Sequence, residues 1–419
     1  MTSISGAMPP ILALHVEEIT FLWHQRERLV EPSRVTLTDL SHMDNRILAH
    51  LDGLRVAVDG GWHPSTAPLE GDDPGAVFAV TVPALEMTEP GSLSALLSAV
   101  EHAPAMHAGL TSALGWTSSR FLRGTVKSLL TSPSVFRRRA GVACCAMHGV
   151  DPKGVLDQMI GDASPLARAT AFRASAAIGR LNLKDACTAA IADDDPECRH
   201  HAASAAVLLG NRTAALEALV RCATTDGLFR AAAFSLALQV LSVRAGHQLL
   251  QEHPDHPDRP RREIEGSGLI GNPAYVPWLI TQMRAEGVAR LAAEAFATVV
   301  GDLAALGPAG EPPSTGIAEP TDDPGDPNVV MNPDDGLPWP DVKKIEAWWA
   351  ANGSRFQTGQ RYFMGAPVTR EHCIDVLKNG CQRQRILAAH YLCLLEPGTP
   401  LFNTSAPAWR QQRLLATMT

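Results

Sequence analysis

The chain has 419 residues, a formal net charge of −8 and 45% hydrophobic residues. This length allows two or three domains or one long repeat array, and the apolar content is sufficient for a folded core. The negative charge argues against nucleic acid as the main partner, because a phosphate backbone requires a clustered cationic surface. Aromatic residues make up only 5% of the chain while alanine is abundant, which favours closely packed helices over a β-sandwich.

The positions of the cysteines and the lengths of the apolar runs indicate the cellular compartment of the protein. The eight cysteines occur inside apolar helical patterns, where small buried thiols are expected, and do not form a disulfide framework. The first residues lack the basic start and the cleavage site of a signal peptide. No run of about 18 apolar residues is present, so the sequence predicts no membrane span. We expect a reduced, cytoplasmic protein.

Two helices are predicted in the first 60 residues. The first ends at Pro32 and has residues that recur at helical spacing, namely Ile11, Leu14, Glu18, Phe21, Leu22 and Leu29. The second begins after Thr36 and ends at the glycine pair 60–61. The next two predicted helices are 73–87 and 91–102.

A repeat beginning near residue 119 determines the predicted fold. Pro133, Pro165 and Pro196 recur at intervals of about 31 residues. Each is followed within about one helical turn by an arginine, namely Arg137, Arg168 and Arg199. An alanine-rich amphipathic stretch follows each proline and ends at glycine. Proline at a helix start and glycine after its end, at this period, indicate helix pairs that bury their apolar faces by stacking. About five such pairs are predicted.

The repeat pattern, Asp-x-x-Pro-x-x-Arg and then Ala-Ala-x-x-Leu-Gly, resembles HEAT repeats. We therefore predict an all-α protein, a HEAT-like right-handed α-solenoid with helical N-terminal and C-terminal caps. The cap tryptophans Trp339, Trp348 and Trp349 are expected to bury against the end of the solenoid. The predicted segments are an N-terminal helical region (1–118), the solenoid (119–305), an acidic linker or strap rich in Pro and Gly (306–340) and a C-terminal helical cap (341–419).

The candidate metal sites lack the ligand patterns that their metals require. Cys198 and His201 have helical pair spacing, but a zinc site needs four ligands and no second pair accompanies them. The loop at 252–262 holds two histidines and several carboxylates and is interpreted as a solvated insertion. The acidic strap lacks the oxygen-ligand order of an EF-hand. The sequence also has no nucleophile elbow, phosphate loop or dinucleotide fingerprint, so we predict no metal, no cofactor and no enzyme.

The first two predicted helices carry a group of polar residues, namely His15, Glu17, Glu18, His50 and Asp52. They are interpreted as a polar network that fixes how the helices pack, with partner docking and acid–base catalysis as alternatives. The arginine run 137–139 is expected to pair with the preceding aspartates across successive repeats rather than with DNA.

Two arginine–glutamine clusters near the C-terminus are the predicted contacts for a partner protein. We select Arg383 and Arg385 from one cluster, Arg410 and Arg413 from the other, and Trp339 from the strap. Arginine beside an apolar surface forms bidentate contacts, which suits a protein interface. The alternative is that these clusters are solvated helix faces.

Ordered motifs along the whole chain resemble one bacterial family of HEAT-repeat proteins. They occupy residues 15–23, 44–54, 112–116, 276–280, 337–341, 348–349, 382–385 and 410–414. Relatives occur among type VI secretion genes that encode spike, adaptor and toxin proteins. The resemblance implies an adaptor or chaperone that binds a secretion toxin, a PAAR-like protein or a spike protein. An immunity protein against a cognate toxin, and a HEAT-fold nucleic-acid-binding protein or enzyme, are the alternatives.

Overall fold

The computed structural model describes residues 9–64, 72–87, 90–252, 258–301, 310, 334 and 336–419. The chain divides into two compact units, residues 1–215 with 374–419 and residues 216–373. In the described part of the chain, no helix has both the length and the apolar character that a membrane crossing requires. Most of the predicted strap, and residues 253–257 of the predicted loop, lie outside the described residues.

Helices dominate both units. In chain order they are α1 (Pro9–Val30), α2 (Leu37–Asp59), α3 (Pro74–Glu86), α4 (Pro90–Glu101), α5 (His107–Trp116), α6 (Thr125–Leu130), α7 (Val135–Met147), α8 (Gly154–Met159), α9 (Pro165–Ile178), α10 (Lys184–Ala189), α11 (Pro196–Leu208), α12 (Ala214–Thr224), α13 (Arg230–Val240), α14 (Val243–Gln251), α15 (Arg259–Ile270), α16 (Val276–Gln282), α17 (Ala289–Val300), α18 (Val342–Asn352), α19 (Arg370–Asn379), α20 (Gln382–Leu395) and α21 (Ala408–Leu415). Two short strands, β1 (Tyr362–Phe363) and β2 (Ala366–Pro367), form an antiparallel hairpin.

The first four predicted helices are present with nearly the predicted limits. Thr36 caps α2: its hydroxyl accepts from the Asp39 amide at 3.3 Å, and the Asp39 carboxylate accepts from the Thr36 amide at 2.9 Å. This capping box satisfies donors that the first turn would otherwise leave unpaired. Helix α3 starts at Pro74, directly after its N-cap Asp73.

Helices α3 and α5 approach each other closely at Gly109. A Cβ atom added there would lie only 1.8 Å from the carbonyl oxygen of Pro74. The backbones can therefore pack at this distance only because position 109 carries no side chain. Around this contact, α1, α2, α3 and α5 share one buried apolar cluster that includes Trp23, Phe78 and Trp116.

The repeat region of the first unit is a row of helices in chain order. Helix α7 packs on α9 and α9 packs on α11, while α6, α8 and α10 pack on α7, α9 and α11 respectively. Alanine fills much of the space between neighbours, since Ala167, Ala171 and Ala174 of α9 are all buried. Small side chains allow this spacing, and each pair buries its apolar face against the next pair.

Arginines join successive turns of this row. Nη1 of Arg138, Arg168 and Arg199 each donates to two carbonyls of its own turn, at 2.7–3.1 Å. Arg138 also pairs with Asp162 at 3.0 Å, and Arg168 forms two 2.8 Å bonds with Asp193. The arginines do pair with aspartates, but each aspartate belongs to the following turn, whereas a preceding aspartate was predicted.

The arginine of the first repeat is Arg138, whereas the proline spacing suggested Arg137. The structure shows the reason: Ser134 is the N-cap of α7, so Pro133 lies one residue before the cap. In the next two repeats the proline directly follows the cap. Arg137 points elsewhere and pairs with Glu101 at 3.0 Å.

A second row of helices forms the other unit. Helices α13, α15 and α17 follow one another, with α14 on α15 and α16 on α17. Trp348 and Trp349 of α18 pack with Phe296 of α17, their ring centroids 6.0 and 6.4 Å from the Phe296 ring. The half-buried Trp339 lies against the Arg290 guanidinium at 5.0 Å. The tryptophans thus pack on the last repeat helix, as predicted.

The β-hairpin was not predicted. Met364 and Gly365 form its turn with φ of 49° and 88°. The Met364 amide donates to the Thr298 carbonyl at 2.7 Å, and the Gly365 amide to the Val299 carbonyl at 3.1 Å. These carbonyls belong to the last turn of α17, which has no further helical donors. The hairpin therefore terminates the row of the second unit.

The two units group the residues differently from the four predicted segments. Residues 374–419 belong with the N-terminal helices, while 341–373 belong to the second unit. The boundaries at 118, 305 and 340 stay predictions.

Candidate protein-binding surfaces

Arg410 lies inside the first unit and caps helix α5. Its guanidinium donates to the carbonyl oxygens of Gly115 at 2.6 Å and of Trp116 and Thr117 at 3.3 Å. The end of a helix leaves such carbonyls unpaired, and its dipole favours a cation there. Burial lowers the pKa of Arg410 to about 10, so the side chain is still charged at neutral pH. This position corrects the predicted partner contact at Arg410.

Arg385 is also internal, with no exposed surface. It donates to the Leu377 carbonyl at 2.9 Å, to Gln382 Oε1 at 3.0 Å and to Gln411 Oε1. The amide groups of both glutamines in turn donate to the Thr404 carbonyl. The two arginine–glutamine clusters therefore bind each other, and the predicted partner contact at Arg385 is corrected as well.

A buried ion pair connects this region to the first two helices. Arg26 Nε lies 2.7 Å from Asp44 Oδ1, and the Ala408 amide donates to Asp44 Oδ2 at 2.6 Å. Arg26 Nη2 donates at 3.1 Å to the carbonyls of Ser405 and Ala406. Both charged groups are thus hydrogen-bonded, as a buried pair requires. We call Arg26, Asp44, Gln382, Arg385, Arg410 and Gln411 the terminal network.

The other predicted partner residues retain accessible surface. Arg413 is exposed on α21, while Arg383 and Trp339 are half-buried. The Arg413 guanidinium lies 5.3 Å from the centre of the Trp409 ring, in a cation–π arrangement. Contact of Arg383, Arg413 and Trp339 with a partner stays a prediction.

His15 and His50 join the first two helices, as the favoured interpretation predicts. Their Nδ1 atoms lie 3.0 Å apart, and the His15 ring covers Gly53, where a Cβ would approach within 2.5 Å. Burial, and secondarily the charge of His50, lowers the pKa of His15. Asp52 instead pairs with Arg55, which also binds Glu86. The His15–His50 contact therefore packs α1 against α2.

Cys198 is buried in α11, and its Sγ lies 3.1 Å from the Pro165 carbonyl. Burial raises its thiol pKa to about 11, so the thiolate that a metal or an electrophile requires is disfavoured. His201 Nε2 lies 3.6 Å from a Glu197 carboxylate oxygen. Within the described ranges, no group of three or more potential ligand side chains comes together for a metal ion.

The buried histidine beside this pair predicts a pH dependence of stability. Burial lowers the pKa of His200 to about 4. Below about pH 6.5 this histidine therefore binds a proton in the unfolded chain but not in the folded chain. The free energy of unfolding consequently falls as the pH falls from about 6.5 to 4. We expect His200 alone to cost about 2 kcal/mol at pH 5 relative to pH 7. Urea unfolding at both pH values tests this, and His200→Gln should reduce the difference by that amount.

Helix α1 has one apolar face in the core and a second on the surface. Ile19 and Leu22 are fully buried, whereas Ile11, Leu14 and Phe21 are 49%, 52% and 56% exposed. The helical spacing in the sequence grouped the exposed and the buried residues of α1 into one series. It did not distinguish the surface face from the core face. Their separation was visible in principle, because Leu14 and Phe21 are two turns apart and offset from Ile19 and Leu22. We call Ile11, Leu14 and Phe21 the α1 face.

Comparison with known proteins identifies the repeats. The family model for HEAT repeats matches residues 152–237, which include α9, α11 and α12. No curated protein and no solved structure matches the chain. HEAT repeats are generally protein-interaction scaffolds and are typically non-catalytic. The match and the stacked helix pairs confirm the predicted fold class: the chain is an all-α solenoid whose residues 152–237 are similar to HEAT repeats.

Proposed function

We propose that this protein is a non-catalytic scaffold that binds another protein. The observation that carries the proposal is the α1 face, three large apolar side chains on one side of a surface helix. Soluble proteins rarely leave such side chains grouped on the surface unless a partner covers them. HEAT repeats supply an extended surface for the same purpose.

The partner we propose is a protein of a type VI secretion system, either a toxin effector or a spike or PAAR-like protein. The support is the resemblance of the ordered motifs to the family described above. In this role the protein acts in the cytoplasm as an adaptor or chaperone, without a cofactor. Several residues of these motifs belong to the terminal network, where they stabilise the fold. The α1 face and Arg413 are therefore the candidate contacts with the partner.

A helix face of this kind docks by burying its apolar side chains in a groove of the partner. Each of the three side chains has about half of its surface available. Large apolar residues at the centre of an interface each contribute about 1–2 kcal/mol or more, so the three together provide a substantial share of micromolar binding.

Charge reversal on the α1 face tests the proposal. We expect Leu14→Glu with Phe21→Glu to weaken binding to the neighbouring toxin or spike gene product at least tenfold in calorimetry, since about 1.4 kcal/mol is a factor of ten. The midpoint of thermal unfolding should stay within about 2 °C of the unmodified chain, because both side chains are exposed. The matched control is Leu228→Glu, at a residue that is 95% exposed outside this face.

Three outcomes would contradict the proposal. The first is equal binding by the variant, the control and the unmodified chain. The second is a dimer of the unmodified chain that the Leu14→Glu, Phe21→Glu variant dissolves, because the face would then be a self-association surface. The third is that deletion of the gene for this protein leaves toxin delivery unaffected but lets sibling cells poison each other. That result would identify an immunity protein.

A further inference from the structure

Helix α9 exposes one strip of side chains in the middle of the first row. Leu166, Thr170 and Arg173 are spaced four and three residues apart, so they share one side of the helix. Leu166 is half exposed and Arg173 is exposed, whereas Phe172 and Ala174 beside it are buried. This strip is the solvent side of a helix whose other sides pack on α7, α8 and α11.

Arg139 of α7 reaches the same strip from the neighbouring repeat. Its Nε donates to the Thr170 hydroxyl at 3.2 Å, which leaves its Nη donors for other acceptors. Burial is the main cause that lowers the pKa of Arg139, and the nearby charge of Arg173 lowers it further while Glu197 opposes the change. Two guanidinium groups thus face one region from adjacent helices.

These two arginines differ from the other arginines of the row. Arg138 and Arg168 each bind an aspartate of the next turn. Arg139 and Arg173 form no ion pair with a carboxylate among the residues that the structure describes. Glu197, whose charge acts on Arg139, lies 3.6 Å from His201. Two positive charges that form no ion pair with a carboxylate suit an external carboxylate.

We propose that Arg139 and Arg173 bind an acidic segment of the partner protein, with Leu166 as the adjoining apolar contact. The inference rests on the scaffold function proposed above and adds the chemistry of one docking segment. Arginine forms bidentate bonds with carboxylates, and two such groups on successive repeats select a segment with at least two acidic side chains. Two arginines on a chain of net charge −8 are too few for a nucleic acid backbone.

The test uses the full chain and a fluorescein-labelled dodecapeptide of alternating Glu and Ala, with Gln replacing Glu in the comparison peptide. Fluorescence anisotropy at about 50 mM salt should show binding of the Glu peptide only. Arg139→Gln and Arg173→Gln should each weaken this binding about fivefold, as expected for the loss of one charge contact at the protein surface. Arg123→Gln removes an exposed arginine outside the strip and should change it less than about twofold.

Equal weakening by all three variants would show nonspecific attraction and overturn the inference, as would the absence of Glu-peptide binding. A single-stranded oligonucleotide that binds more tightly than the Glu peptide, and loses affinity in the same two variants, would assign the strip to nucleic acid instead. The assay contains no secretion protein. Failure of this site and failure of the α1 face are therefore observed separately.

Discussion

Replacing Asp44 by Ala is expected to lower the free energy of unfolding by about 3–5 kcal/mol, the range seen when one partner of a buried ion pair is removed. The Arg26 guanidinium would remain in the interior without its counterion, and the Ala408 amide would lose its acceptor. Neither group can reach water without separating α21 from α2, since these helices pack together. Urea unfolding followed by circular dichroism measures the loss.

The control for Asp44→Ala is on the same helix. Asp52 also pairs with an arginine, but its side chain is 70% exposed, so Asp52→Asn should cost less than about 0.5 kcal/mol. Asp44→Asn should be nearly as damaging as Asp44→Ala, because an amide nitrogen would face either Arg26 or the Ala408 amide. A similar small loss for all three variants would contradict the burial of this pair.

Local signals explain why much of the fold was predictable from the sequence. Proline after an N-cap, glycine after a helix end and a period of about 31 residues are all short-range features, and each pointed to stacked helix pairs. The start of α2 directly after Thr36 is also as predicted. The hairpin was missed because two-residue strands carry almost no periodicity, and only Met364-Gly365 marks the turn.

The interior arginines were not predictable, because their partners are distant in sequence. Gly115 and Arg410 are almost three hundred residues apart, and all the acceptors of Arg410 are backbone carbonyls, which leave no trace in residue identity. An arginine beside glutamines in a helical pattern is typical of a solvated face. Only the three-dimensional structure shows that the C-terminal end of α5 lies beside the guanidinium group of Arg410 on α21.

Arg410 provides the sharpest distinction between a residue that maintains the fold and one that contacts a partner. Arg410→Ala should lower the free energy of unfolding by about 2–4 kcal/mol, because three carbonyls at the end of α5 lose their donor inside the protein. Arg410→Lys keeps the charge near the helix end but cannot span three carbonyls, so it should recover only about half of the loss.

Arg413, one turn further along α21, should behave in the opposite way. It is exposed, so Arg413→Ala should change the free energy of unfolding by less than about 0.5 kcal/mol. If Arg413 contacts the partner as predicted, its loss should weaken partner binding several-fold, whereas Arg410→Ala, assayed where it is fully folded, should bind normally. For both variants, urea unfolding measures the free energy of unfolding and calorimetry measures the affinity for the partner. A stable Arg410→Ala protein with weakened binding would restore Arg410 to the interface and contradict its assignment as the cap of α5.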